Sequence, residues 1–403
     1  CDYNFSGNGI AYGGERMPSP KMQEVRNGYQ SIVVTLEAQE MPEADDATVH
    51  ALTKETKQVA LDIWNKYLFT DTAAFDCFLT LEKEGVEIGR RKLDLSVAAQ
   101  QRKRIELPVQ LPAAAGEYVV TVSFRTKENS TWAEAGTELA WGQTVIRRED
   151  KDASERPCCA EAIRRMQIIR GAWNLGVHGE NFDVLFSTLH GGLVSYRYAG
   201  KELLKASPRP NFWRAMTDND LGCTFPQSAA PWRSAGLYAT TKYASGRRVT
   251  EYEVSEDENA ITITYTYHLA TIPAKDCFVS YTVTADGEVR VKQQMEASAE
   301  VGELPEFSML FTLDGRQDQL RWYGPGPDET YMDRCHAKIG VYASTTEDSV
   351  AGYLRPQECG NHVDVRWAEL TDAQGAGLRF ETNGLQFSAL PYSPEQLECA
   401  KHP

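Results

Sequence analysis

Apolar and polar positions alternate along most of the chain in short runs of about ten-residue spacing, the period-two signature of half-buried strands. Ile32, Val33, Val34 and Leu36 open the series within Ser31–Glu37. Val59, Leu61 and Ile63 alternate within Gln58–Trp64, and Phe75, Cys77, Leu79 and Leu81 alternate within Phe75–Leu81. Gly85–Glu87 turns into a further strand. Arg104–Leu111, Glu117–Thr126 (through Tyr118, Val120, Val122 and Phe124) and Ala140–Arg147 complete a first set. Seven short strands in about 100 residues predict an immunoglobulin-like sandwich over 25–150. Residues 1–24 carry several Gly and Pro and predict loop, with a helical turn near Lys21–Arg26.

The charged, non-periodic stretch 148–159 reads as a connection. Beyond it the alternation resumes at 166–170, 173–178, 182–187, 193–198, 261–269, 277–284, 288–296, 306–313, 362–370, 376–381 and 384–389, with Gly191-Gly192 and Asp286-Gly287 as hairpin turns. So much antiparallel strand in one run predicts a single large sandwich over 151–403. The fold class is therefore all-β, an immunoglobulin-like sandwich followed by a large antiparallel one. Strands do not alternate with helices, which excludes a Rossmann domain or a complete (β/α)8 barrel.

Composition narrows the chemistry. The 403 residues carry 42 Lys and Arg against 57 Asp and Glu, a net charge of −15, with no basic run, so nucleic acid and anionic membranes are excluded as partners. No apolar stretch reaches the length of a membrane span. Nine cysteines without a CxxC pair speak against a disulfide scaffold, a zinc ribbon or a thioredoxin-like site. The adjacent Cys158 and Cys159 read as reduced thiols, and a cytoplasmic location is the expectation, with the periplasm as the alternative. HExxH, Gly-x-Ser-x-Gly and Gly-rich phosphate loops do not occur. Two segments stand out. Arg214-Ala-Met-Thr-Asp218-Asn219-Asp220-Leu-Gly222 packs acids and an amide around a bend, either as an Asx-capped turn with Arg214 paired to an acid or as a polar loop facing a sugar. Trp322–Arg334 joins aromatics, prolines and acids in what reads as a loop after a strand.

In this order the segments resemble the C-terminal part of a lactose-operon-type bacterial β-galactosidase of glycoside hydrolase family two. Phe5-Ser-Gly-Asn8-Gly9 with Pro18-Ser-Pro20 is similar to the stretch leaving that family's catalytic barrel, so that 1–24 reads as the barrel's tail. Asn65-Lys66-Tyr67-Leu68-Phe69-Thr70 and Trp132–Gly136 are similar to its fourth domain. Phe212–Gly222, Tyr323–Arg334 and Pro391-Tyr392-Ser393 resemble its fifth domain, a sandwich of the galactose-mutarotase type. The resemblance implies a retaining glycosidase whose two catalytic Glu lie on barrel strands upstream, so no Asp or Glu of this chain is assigned to that pair. It implies further barrel sequence before Cys1 and more chain beyond Pro403. It makes Phe5, through its carbonyl, and Asn8, through its side chain, two ligands of a sodium ion beside the sugar, while magnesium belongs to upstream residues of the full-length enzyme. Asp218, Asn219 and Asn8 would face substrate, and Gly222 would begin a mobile loop running through Cys223-Thr-Phe-Pro-Gln. The family's sugar-stacking Trp aligns near Phe380–Asn383, where Phe380 could substitute, and the nearest Trp, Trp367, reads as core. The implied partners are a β-galactoside, the upstream domains of the same polypeptide and, for the full-length enzyme, further copies of itself. The runner-up is a stand-alone galactoside-binding module. An aldose epimerase comes third, because its chemistry needs a His and a carboxylate facing one sugar, and His178 and His190 have no matched acid in the sequence.

Overall fold

The computed structural model describes residues 9–12, 16–38, 54–149, 166–241, 252–256, 260–296 and 298–402. Among them, helix α1 (Lys21–Gly28) precedes the first sandwich. One of its sheets holds β1 (Ile32–Ala38), β2 (Lys54–Asn65) and β5 (Arg102–Pro112) in the order β1-β2-β5. The other holds β3 (Phe75–Lys83), β4 (Val86–Leu93), β6 (Gly116–Thr126) and β7 (Glu138–Arg148) in the order β4-β3-β6-β7. The alternating residues read from the sequence meet between the sheets: Val34, Leu61, Ile63, Leu79, Val120, Val122 and Phe124 share one core. A period of two puts these side chains on one face of every strand, so a slip of one residue would turn the whole set outward. Where β1 passes β7, a Cβ on Gly142 would lie 2.2 Å from the Val34 carbonyl oxygen, so only glycine lets these backbones approach.

The second region begins with β8 (Gln167–Arg170), β9 (Asn174–His178), β10 (Phe182–Ser187), β11 (Leu193–Tyr198) and β12 (Lys201–Glu202), which form one sheet in the order β12-β11-β10-β9-β8. After β13 (Ala206–Asn211) come helices α2 (Asp218–Leu221) and α3 (Phe225–Tyr238). The meander β14 (Tyr252–Glu256), β15 (Ala260–Leu269), β16 (Lys275–Thr284) and β17 (Val289–Met295) follows, and β18 (Ser308–Thr312) pairs with β13. A last sheet orders β19 (Gln319–Gly326), β20 (Lys338–Thr345), β21 (Asn361–Thr371) and β22 (Gly377–Ser388) as β20-β19-β21-β22, and α4 (Pro394–Cys399) follows it. All pairings are antiparallel. The largest core joins Val184, Phe186, Tyr265, Val279 and Tyr281 to Phe212 and Trp232, so helix α3 seals the sandwich rather than decorating it.

Three expectations change. Of Cys223–Gln227 only Cys223 and Thr224 are loop, because Phe225, Pro226 and Gln227 form the first turn of α3, where a proline has no hydrogen bond to lose. Trp322–Gly326 is strand rather than loop: β19 pairs with β20 through Gly326 but with β21 only as far as Tyr323, so Pro325 sits where one side of the ladder is open. Trp367 lies half-buried outside the core, with Arg379 4.3 Å and Arg321 5.8 Å from its ring.

The two sandwiches meet through polar side chains. Glu117 of β6 accepts hydrogen bonds from Tyr323 Oη at 2.8 Å and Arg366 Nε at 2.9 Å. Gln143 of β7 accepts from the Ile339 amide at 2.8 Å and donates to its carbonyl at 3.1 Å. Lys338 Nζ reaches Glu138 at 2.5 Å.

Candidate functional site

A cleft of about 2590 Å³ opens along the second sandwich. Its walls come from α1, α2, β18, β22 and the turns around Tyr331 and Glu358. Asp218, Asn219 and Phe380 line it, as do Arg214, Asp220 and Thr217.

The Arg214–Gly222 segment folds as a capped turn. Thr217 Oγ1 accepts from the Asp220 amide at 3.3 Å while Asp220 accepts from the Thr217 amide at 2.9 Å, a reciprocal capping box. Arg214 grips the same carboxylate with Nη1 at 2.6 Å and Nη2 at 3.2 Å. Burial alone would raise the Asp220 pKa, but the bonds from Arg214 and Thr217 outweigh it and hold the carboxyl below its usual range. Asp218, Asn219 and Asp220 all line the cleft, and Asp220 is thus engaged by Arg214 and Thr217 within the turn. Asp218 exchanges bonds with Gln357, its amide donating to Oε1 at 3.3 Å and its Oδ2 accepting from Nε2 at 3.3 Å. Gly222 caps α2 with φ −79, an ordinary right-handed conformation. Phe5 and Asn8 lie outside the described residues, as do Cys158 and Cys159.

Opposite this turn, the Tyr323–Arg334 segment supplies Glu329, Tyr331 and Arg334. Glu329 is the knot of the turn: Tyr353 Oη donates to it at 2.7 Å, and Arg334 and the Gly360 amide donate as well. Arg334 also stacks 4.8 Å above the Tyr331 ring. Tyr331 Oη donates to Glu358 Oε1 at 3.3 Å. Burial, reinforced by the neighbouring Glu306, pushes the Glu358 carboxyl up to about 8 against the pull of Arg214 and Tyr331, so it is largely protonated at neutral pH. Glu306 is raised too, again chiefly by burial, with the bonds from Ser308 and Asn211 opposing. The cleft wall thus offers carboxyl oxygens at Asp218, amides at Asn219 and Gln357, and a carboxyl that can donate at Glu358. Such a mixture suits a neutral polyhydroxylated ligand.

Sequence reasoning singles out both turns but not Gln357-Glu358, which meets Asp218 across 139 residues and carries no local signal. Phe380 makes edge-to-face contact with Phe311 at 5.3 Å and lies 5.5 Å from Phe387, so its ring is anchored where it borders the cleft. Neither His178 nor His190 is among the residues lining the cleft. His178 instead lies 2.6 Å from Asp183 across the β9–β10 pair.

Comparison with known proteins places both sandwiches. Residues 61–147 match the family described as beta-galactosidase, domain 4, and residues 178–403 match beta galactosidase small chain. The chain belongs to the β-galactosidase family. A beta-galactosidase of Halalkalibacterium halodurans is 36% identical over 414 residues, covering 100% of this chain and 37% of the relative. One from Priestia megaterium is 34% identical over 408 residues, covering 100% and 36%. A beta-galactosidase small subunit of Latilactobacillus sakei is 34% identical over 267 residues, covering 60% of this chain and 84% of that one. The chain thus spans just over a third of the length of the first two β-galactosidases and corresponds to their fourth-domain and small-chain part.

Proposed function

We propose that the chain is the non-catalytic C-terminal region of a β-galactosidase whose full-length form hydrolyses terminal β-D-galactosides with retention of configuration. The observation that carries this reading is the succession of domain-4 and small-chain matches along one chain. In a retaining glycosidase two carboxyl groups flank the scissile bond, one as nucleophile and one as acid and base. By family resemblance both lie upstream of this region. What this chain contributes is a cleft wall for the sugar: Asp218 accepts hydroxyl protons, Asn219 and Gln357 both accept and donate, and protonated Glu358 donates. Phe380 offers an apolar edge, the role the family gives to a Trp. Phe5 and Asn8 would hold sodium beside the galactosyl group, and magnesium would be bound by the upstream part. The partners of the region are then the β-galactoside, the upstream domains and, in the assembled enzyme, further copies of the same polypeptide. That a relative of this region is named a small subunit supports its being separable from the catalytic part.

The test is the purified chain with an aryl-β-galactoside, alone and together with the upstream part of a family member. No turnover is expected from the chain alone and hydrolysis from the pair. Measurable hydrolysis by the chain alone would sink the reading.

A further inference from the structure

The two motifs that tie the first sandwich to its family do nothing for the cleft. Asn65–Thr70 and Trp132–Gly136 lie in loops, and both loops project from one end of the sandwich. At that end β2 finishes at Asn65 beside the start of β1, β3 starts at Phe75 opposite Thr126 at the finish of β6, and β7 starts by pairing Glu138 with Arg125. Lys127 Nζ donates to the Ala73 carbonyl at 2.5 Å and ties the two loops together. Part of each motif is structural: Asn65 donates to the carbonyls of Thr70 and Val97, both at 2.8 Å, and so fixes the first loop. The large apolar members of the motifs are not spent in this way. Phe69 is 93% exposed, Trp132 69% and Leu68 63%. Tyr29, which the Lys66 amide brings to the same end by bonding the Ser31 carbonyl at 2.8 Å, is 85% exposed. Four large apolar side chains held out to water at one end of a rigid sandwich mark a surface meant to be covered.

We propose that this loop end, centred on Phe69 and Trp132, is the surface on which the catalytic portion of the β-galactosidase chain docks. The inference rests on the function proposed above and names where the two portions meet. Two observations select this occupant. The chain spans only 36–37% of its full-length relatives, so in them nearly two-thirds of the polypeptide lies outside the region this chain represents and is covalently joined to it. The route between the patch and the cleft is α1: Lys21, Glu24 and Val25 line the cleft, and the helix ends at Gly28, next to Tyr29. The helix is held to the second sandwich by Glu24, which accepts from the His336 amide at 3.1 Å. A domain seated on Phe69 and Trp132 therefore stands beside the cleft mouth, where a galactoside held by Asp218 and Glu358 would meet the catalytic groups. Aromatic anchors of this kind carry much of the energy of protein interfaces.

The experiment co-expresses the tagged chain with the untagged upstream portion of the Halalkalibacterium halodurans enzyme and measures both the captured protein and its aryl-β-galactoside hydrolysis. The wild-type chain is expected to capture it, and the Phe69→Asp, Trp132→Asp double variant to capture at least ten-fold less. Ile272→Asp, which alters a 91% exposed side chain on the second sandwich, should capture as the wild type does. Unchanged thermal melting would show that the double variant is folded, as expected for side chains that face water. Trp132 gives a second readout, since the part of the tryptophan emission that a Trp132→Phe variant lacks should be quenched less by acrylamide on assembly in the wild type. Equal capture by the double variant, or undiminished quenching in the assembled wild type, overturns the docking surface while leaving the proposed function standing. Failure of the wild-type chain to capture the upstream portion overturns the proposed function, and the docking surface with it.

Discussion

Tyr323 Oη donates to Glu117 Oε1 at 2.8 Å, joining a strand of the second sandwich to a strand of the first across 206 residues. Arg366 Nε shares the same oxygen at 2.9 Å, and both charged side chains are nearly buried, with 10% of Glu117 and 14% of Arg366 exposed. Removing one member of a buried pair leaves the other unpaired and desolvated. Glu117→Ala is therefore expected to lower unfolding stability by about 3–5 kcal/mol. Tyr323→Phe, which deletes one hydrogen bond, should cost about 1 kcal/mol. Urea titrations of the two variants against the wild type measure the difference, and equal losses would show that the charge is not what matters.

The same clamp responds to acid. Burial alone would raise the Glu117 carboxyl, but the bonds from Arg366, Tyr323 and Arg147 outweigh it and hold the carboxyl below its ordinary value. A carboxyl depressed in the folded chain adds stability that is present at neutral pH and is lost as the pH falls through the acidic range. Glu117→Gln should therefore flatten the acid limb of the stability curve. The check is a set of urea midpoints between about pH 3 and pH 7.

Glu358 predicts the opposite slope. Its carboxyl, raised by burial from 4.5 to about 8, holds a proton in the folded chain that the unfolded chain has already lost. Stability from this group falls as the pH climbs through that window. Glu358→Gln, which keeps the shape and removes the titration, should melt higher than the wild type near pH 8 and change least near pH 5. Melting scans of both proteins across this range decide it, and parallel curves would reject the assignment.

The sandwich cores make two steric predictions. Trp232 is 2% exposed and its Nε1 donates to the Gly302 carbonyl at 3.2 Å, so Trp232→Ala should cost about 3–5 kcal/mol. Gly142→Ala forces a methyl toward the Val34 carbonyl and should cost about 1–3 kcal/mol. Gly89→Ala, with nothing within 4 Å of the added carbon, should be tolerated. A melting series with all three variants separates a clash from a mere loss of glycine.

Alternation made the paired strands legible. β15 buries every second residue from Ile261 to Leu269, as its sequence implies. Proline hid other elements. β13 contains Pro208 and Pro210 and survives because, among the described residues, its one ladder is to β18. Helix α3 contains Pro231, yet Ala229, Trp232, Ala235 and Gly236 still share a buried face, a helical spacing that could have disclosed it. β22 reads as two strands because Gly384, with φ +79, and a break in register interrupt a single one. Half the cleft was legible, because the Arg214–Gly222 and Tyr331–Arg334 turns announce themselves by composition. Gln357 and Glu358 do not, since what makes them part of the site is the fold that delivers them to Asp218 and Tyr331.

Gln143 gives the joint between the sandwiches an unusual grammar. Its side-chain amide holds both the N–H and the C=O of Ile339, so it imitates one rung of a β-ladder and reads only backbone on the far side of the joint, while Thr121 Oγ1, accepting from Nε2 at 2.9 Å, steadies it on the near side. Any side chain at 339 except proline, which has no N–H to give, leaves that recognition intact, and the contact is otherwise blind to drift there. A single residue inserted in the turn before β20 is another matter, for it would shift the strand by about 3.3 Å and present the wrong groups to the amide. The joint gauges the length of the chain and ignores its spelling, so along this seam substitutions should accumulate far more readily than insertions or deletions.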